Sequence, residues 1–249
     1  MSSFDPERYS GINSPLHRWD TRIKLISLFV LIVSIVIAGE VSQALAGLIV
    51  AILLVLISRL PFHHVLRFMK WPFIFLLPSL VILPFTVEGQ TLFSYHSLTL
   101  SLQGLQLGLL FMVRGIAATL LALIIAGTAP FNVNINALKS LGMPGPLTQI
   151  FLFAYRYIFL LNEDLQTMRR SLTSKGFEIR SSAKSTRIMA MAVAMLLIRS
   201  YERSEDVFNA MLSRGYQGIL PTGRKMMIEG SDLFKGFSVL AAALFIQLI

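Results

Sequence analysis

The 249-residue sequence contains no cysteine. That excludes disulfides, iron–sulfur clusters and thiolate zinc sites, and leaves the redox compartment unspecified. Charge is scarce as well. Only 14% of residues are Asp, Glu, Lys or Arg, against about 25% in a soluble domain. Acids are rarer than bases, 13 against 22, for a net charge of +9. The four histidines are His17, His63, His64 and His96. The adjacent pair His63-His64 cannot form an i,i+4 ligand face, and a polar turn near a membrane surface is the plainer reading. There is no G-x-x-x-x-G-K-[ST] loop, so the chain carries no Walker site for ATP. G-x-S-x-G and H-E-x-x-H are missing too, and no acid, base and nucleophile converge in one region. The sequence offers no catalytic set, no metal ligands and no cofactor site.

What is present is apolar: 55% of residues are hydrophobic. Five segments are candidates for spans of about 20 residues. They run from about 23 to 38, from after the break at 39–43 to about 57, from about 71 to 86, from about 105 to 126, and from 234 to 249. Pro72, Pro78 and Pro84 fall in the third and should bend it or make it partly re-entrant. The first apolar run starts only near Leu25, after a polar segment with Asp5, Glu7 and Asp20, which does not read as a secretory signal. Lys and Arg alternate between the ends of the spans. Arg8, Arg18, Arg22 and Lys24 precede the first, and Arg59, Arg67 and Lys70 follow the second. The loops after the first and third carry Glu40 and Glu88 and no base. The N-terminus is therefore expected in the cytoplasm, with the C-terminus outside. Topology and anionic lipid account for the basic excess, without nucleic acid. The expected fold is an all-α integral membrane protein with about five transmembrane helices and a cytoplasmic domain of long amphipathic helices. Its expected divisions are 1–129, 130–231 and 232–249.

The cytoplasmic stretch holds a short pattern twice, 39 residues apart: Ser174-Lys175-Gly176-Phe177 and Ser213-Arg214-Gly215-Tyr216. Each copy closes an amphipathic stretch. Apolar residues keep helical spacing from Leu147 to Leu172, and a second set runs from Met189 to Leu212. Pro146 suits a first helical position. A base followed by glycine is a common helix ending, because the base complements the dipole and glycine tolerates the left-handed cap. Two copies in the same order, each followed by an aromatic residue, also suit a partner with two equivalent acidic grooves.

Three further features have a plain and a functional reading. Arg199, Glu202 and Arg203 lie in a charged run that is either a solvated helical face or the crossing point with the other long helix. Arg114 lies inside the fourth span, where it pairs structurally, snorkels or marks a functional site. Met168, Met189, Met191, Met195 and Met211 are either core filler or an adaptable contact surface.

These residues resemble a known family. Ser14-Pro15-Leu16-His17-Arg18-Trp19-Asp20-Thr21-Arg22-Ile23-Lys24-Leu25 is similar to the N-terminal signature of the transmembrane T subunit of energy-coupling-factor transporters, with Thr21 in place of the usual proline. The Ser-Lys-Gly and Ser-Arg-Gly triplets resemble that family's two Ala-Arg-Gly motifs, with lysine at 175 where arginine is usual. The stretches 155–159, 199–203 and 209–218 look most like the cobalt and nickel branch. The resemblance implies a non-catalytic coupling subunit. Its partners would be two ATPase subunits, a membrane substrate-binding subunit, a small accessory membrane subunit and the lipid bilayer. Ser174, Lys175, Gly176, Ser213, Arg214 and Gly215 would dock the ATPases. A vitamin-type substrate subunit, or a stand-alone carrier using Arg114, are the alternatives.

Overall fold

The computed structural model describes residues 14–95, 98–177, 182–218 and 229–248. Asp5, Glu7, Arg8 and His96 lie outside the described residues. Helices α1 (Thr21–Ile37), α2 (Val41–Ser58) and α3 (Phe62–Thr86) come first. A hairpin of β1 (Thr91–Tyr95) and β2 (Leu98–Ser101) follows, then α4 (Leu102–Gly127), α5 (Phe131–Ser140), α6 (Gly145–Ser174), α7 (Ala183–Ser213) and α8 (Gly230–Leu248). The chain forms two compact units, Met1–Ala137 with Lys225–Ile249, and Leu138–Arg224.

In the first unit, α2, α3, α4 and α8 are long and apolar enough to cross a bilayer. The remaining expected span, α1, has 17 residues, at the lower end of the spanning range. Among the described residues the protein is all-α apart from the antiparallel hairpin, in which Thr91 pairs with Ser101 and Tyr95 with Leu98. The sequence suggests only a loop carrying Glu88 there.

Helix α3 departs from expectation. It starts at Phe62 rather than near Trp71, and it stays continuous through all three prolines. Its 25 residues are long enough to cross a bilayer without a break. Just after Pro78, Ser79 Oγ donates to the Leu76 carbonyl at 2.6 Å. His63 and His64 sit in its first turn, after Pro61 as N-cap, so they begin a helix instead of forming a turn. The support for α3 comes from α4. A Cβ at Gly104 would strike the Leu83 carbonyl oxygen and lie 2.7 Å from Pro84 Cα, and one at Gly108 would lie 3.1 Å from Leu80 Cα. Gly104 and Gly108 form a G-x-x-x-G pair, which lets two backbones approach closely in lipid.

Polar bonds fix the directions of the other helices. At one end, Trp19 Nε1 donates to the Asp232 carbonyl at 3.1 Å. At the other, Ser34 Oγ donates to the Ala243 carbonyl and Gln247 Nε2 to the Ser34 carbonyl, both at 2.8 Å. Helices α1 and α8 therefore run parallel. Lys24, fully buried, donates through Nζ to Thr128 Oγ1 at 2.9 Å. That joins the start of α1 to the end of α4. Leu28, Leu31, Ile35, Leu121, Ile124 and Ile246 fill the core between them. The start of α1, the end of α4 and the start of α8 thus share one face.

Helix α5 belongs to this unit up to Ala137. Asn134 Nδ2 donates to the Ile125 and Ala129 carbonyls at 3.3 Å, and Ile135 and Ala137 are buried.

Candidate coupling site

Helices α6 and α7 have 30 and 31 residues, so α6 is a rod of about 45 Å. Pro146 lies in the first turn of α6, where its missing N–H costs nothing. Aromatic pairs at i,i+4 stiffen the middle of α6: Phe153 with Tyr157 at 6.3 Å, and Tyr155 with Phe159 edge-on at 5.2 Å.

The two helices end with the same pair of bonds after the cap. In the first, Lys175 is the C-cap and Gly176 has φ +78°. The Gly176 N–H donates to the Thr173 carbonyl and the Phe177 N–H to the Leu172 carbonyl, both at 3.0 Å. In the second, Arg214 is the C-cap and Gly215 has φ +81°. There the Gly215 N–H donates to the Leu212 carbonyl at 2.9 Å and the Tyr216 N–H to the Met211 carbonyl at 3.0 Å. Both are Schellman endings, which need a residue at ease in the left-handed region after the cap. The serines match as well: Ser174 Oγ donates to the Arg170 carbonyl and Ser213 Oγ to the Asn209 carbonyl, each at 3.0 Å.

Exposure repeats too. Leu172 and Phe177 are half-buried while residues 173–176 are exposed, and Met211 and Tyr216 are half-buried while 212–215 are exposed. Each residue of the pattern has a local task. Serine bonds back into the helix, glycine turns the chain, and the base stands in the open at the tip.

Side-chain bonds set the two helices antiparallel. Gln149, in the first turns of α6, accepts from the Tyr216 hydroxyl at 2.7 Å and donates to the Gly218 carbonyl at 3.0 Å. Farther along, Arg203 pairs with Asp164 at 3.1 Å. The second tip therefore lies beside the start of α6, and the first lies at its end. From Gln149 to Lys175 is 26 residues, or about 39 Å along the helix. Lys175 and Arg214 are not brought together; they are held apart.

Of the charged run on α7, Arg203 alone turns to α6, whereas Arg199 and Glu202 are exposed. The open face is linked by Tyr201 to Glu205 at 3.0 Å. Sequence reading missed Gln149 and Asp164. The signal for Asp164 was its place in an acidic pair, Glu163-Asp164, on a helix whose other charged residues are arginines.

The segment 14–25 is structural. Leu16, Trp19, Asp20 and Lys24 are buried, and Asp20 caps α1 by accepting from the Arg22 N–H at 2.8 Å. Arg114 lies half-buried at the middle of α4, with its Nε buried and unpartnered.

A protein-family model described as "Cobalt transport protein", CbiQ, matches residues 12–226. An uncharacterized protein of Methanocaldococcus jannaschii is 28% identical over 250 residues, which cover 96% of this chain and 85% of that protein. The energy-coupling factor transporter transmembrane protein EcfT of Bacillus subtilis is 28% identical over 263 residues, 98% of each chain. EcfT of Heliobacterium modesticaldum is 28% identical over 222 residues, 85% of this chain and 83% of that one.

Proposed function

The chain belongs to the CbiQ family of cobalt transport proteins, and we propose that it is the multi-pass membrane subunit that couples ATPase motion to substrate release in an energy-coupling-factor transporter. The observation that carries this reading is the pair of matching capped tips, Lys175 and Arg214, exposed at opposite ends of an antiparallel helix pair. The names of the relatives support the same role.

A symmetric pair of ATPase subunits offers two equivalent grooves, and each tip enters one. Ser174, Lys175 and Gly176 form the first contact; Ser213, Arg214 and Gly215 form the second. Lysine gives the first tip a point charge where arginine gives the second a planar fork. When the ATPases close or open, the spacing of their grooves changes. The rods cannot shorten, so the change becomes a rotation about the contacts at Asp164–Arg203 and Gln149–Tyr216. That rotation moves a separate membrane subunit that holds the substrate. Hydrolysis itself belongs to the partner subunits. Both helices leave large apolar side chains open, such as Ile150, Ile158, Leu197 and Ile198, which suits placement against the membrane surface or the partners.

In this reading the start of α1 and the coupling helices are cytoplasmic, which the alternation of bases between spans supports. The substrate in this reading is cobalt or nickel ion, which the family's description favours over a vitamin.

The test is co-purification from native membranes. Arg214→Glu should lower the yield of ATPase subunits about tenfold or more, since reversal turns attraction into repulsion in a desolvated groove. Membrane accumulation of the chain should not change. Wild-type recovery of the ATPases with this variant would overturn the coupling role. The membrane protein that co-purifies, tested for binding of cobalt and nickel, decides the substrate.

A further inference from the structure

Arg114 sits where a charge needs a partner. It is the thirteenth of 26 residues in α4, so each helix end is about 18–20 Å away. The hydrocarbon half-thickness is about 15 Å, and an arginine side chain reaches on the order of 7 Å. Snorkelling from mid-helix cannot bring the guanidinium to the headgroups, which also removes lipid phosphate as its counter-charge. Its Nε is buried without a hydrogen-bond partner among the described residues. An uncompensated charge at this depth is costly.

This sequence cannot supply the missing group. Its thirteen acids include none between residues 21 and 37, 41 and 86, or 102 and 127. The acid of α8 is Asp232, in its first turn and already bonded to Lys235 at 3.2 Å. A second copy of the chain has the same lack.

The surroundings also point outward. Leu110 and Ala117, one turn to either side of Arg114, are buried, whereas Phe111 is 49% and Leu107 38% exposed. Arg114 therefore stands on the edge of the packed face, beside an open apolar strip on which another membrane helix can lie.

We propose that Arg114 docks a transmembrane helix of a different subunit through an aspartate or glutamate on that helix, level with the bilayer centre. The inference rests on the coupling reading, in which the substrate-binding membrane subunit is the partner at hand. Within the membrane a carboxylate and a guanidinium form a bidentate, charge-assisted pair, so the contact fixes the height and orientation of the partner helix on α4.

The test uses the tagged full chain expressed with its native partners, extracted in mild detergent, with the co-purifying membrane subunit quantified against the ATPase subunits. Arg114→Met should reduce that subunit about 30-fold or more, because it leaves a carboxylate unpaired in the interface. The ATPase yield should hold. Arg114→Lys keeps the charge and should retain most of the membrane subunit. Methionine removes an unpaired charge from lipid, so the variant chain alone should accumulate and melt at least as well as wild type. Full retention of the membrane subunit by Arg114→Met overturns the inference. So does equal loss with Arg114→Lys, or collapse of the Arg114→Met chain on its own, which would mark an internal role. If the wild-type chain brings down neither ATPases nor a second membrane protein, the coupling reading fails, and this inference falls with it.

Discussion

The two compact units are held together in opposite ways. In the first, helices are pinned at both ends and in the middle: Trp19 to Asp232, Lys24 to Thr128, Ser34 to Ala243, and Gly104 against the backbone of Leu83 and Pro84. In the second, α6 and α7 have one buried residue each, Thr148 and Ser185. Among the described residues, the Arg203–Asp164 ion pair links them, and Gln149 ties α6 to the residues just after α7. The first unit resists any change in helix position; the second has two stiff rods with few links between them. A membrane anchor needs the former and a lever the latter, so the contrast is the mechanical content of the proposed function.

The same substitution should separate the units most sharply. Gly104→Ala places a methyl against the Leu83 carbonyl and Pro84 Cα, both backbone, with no side chain free to swing away. We expect a loss of about 3 kcal/mol, read as a large fall in melting temperature of the purified chain and poor membrane accumulation. Near-normal stability would mean that α3 and α4 separate easily, and the contrast would fail. Thr128→Val comes next. It leaves the buried Lys24 ammonium without the oxygen it donates to, at a cost of about 2 kcal/mol. Thr128→Ser keeps the hydroxyl and should recover most of the lost melting temperature.

How much of this was legible follows the same division. Spans show in the sequence because lipid demands long apolar runs, and the five expected segments all form helices. The hairpin was not legible, because short strands in a polar connection carry little periodic signal. Nor was the continuity of α3 through three prolines. That depends on α4 coming close enough to support it, and the G-x-x-x-G at Gly104 and Gly108 was the available sign. The matching tips were legible as a repeated pattern. Their separation was not, because it rests on Gln149 meeting Tyr216 across 67 residues. Polar contacts of that kind leave no local trace in a single sequence. The signature around Asp20 and Lys24 read as a mark of family; in the structure those residues cap and lock α1.

At Gly215 the expected effect is smaller and stays local. A Cβ there meets nothing within 4 Å, but φ is +81°. Gly215→Ala should cost about 1 kcal/mol through left-handed strain alone. It should appear as faster amide exchange in the last turn of α7, with the melting temperature of the first unit unchanged. Gly176→Ala should behave alike, because its ending has the same bonds. Unequal responses would break the equivalence of the two tips.

The smallest effect tests the link between the rods. Arg203 and Asp164 lie 3.1 Å apart, with side chains 35% and 25% exposed, so water and salt screen the pair. A double-mutant cycle with Arg203→Ala and Asp164→Ala, read from amide exchange at the middle of α6, should give a coupling of about 0.5 kcal/mol. Raising the salt concentration should diminish it further. A weak pair is what a pivot requires, because it holds the rods in register without fixing their angle. A coupling several times larger would lock α6 to α7, and the second unit would then resemble the first, with no joint left to turn.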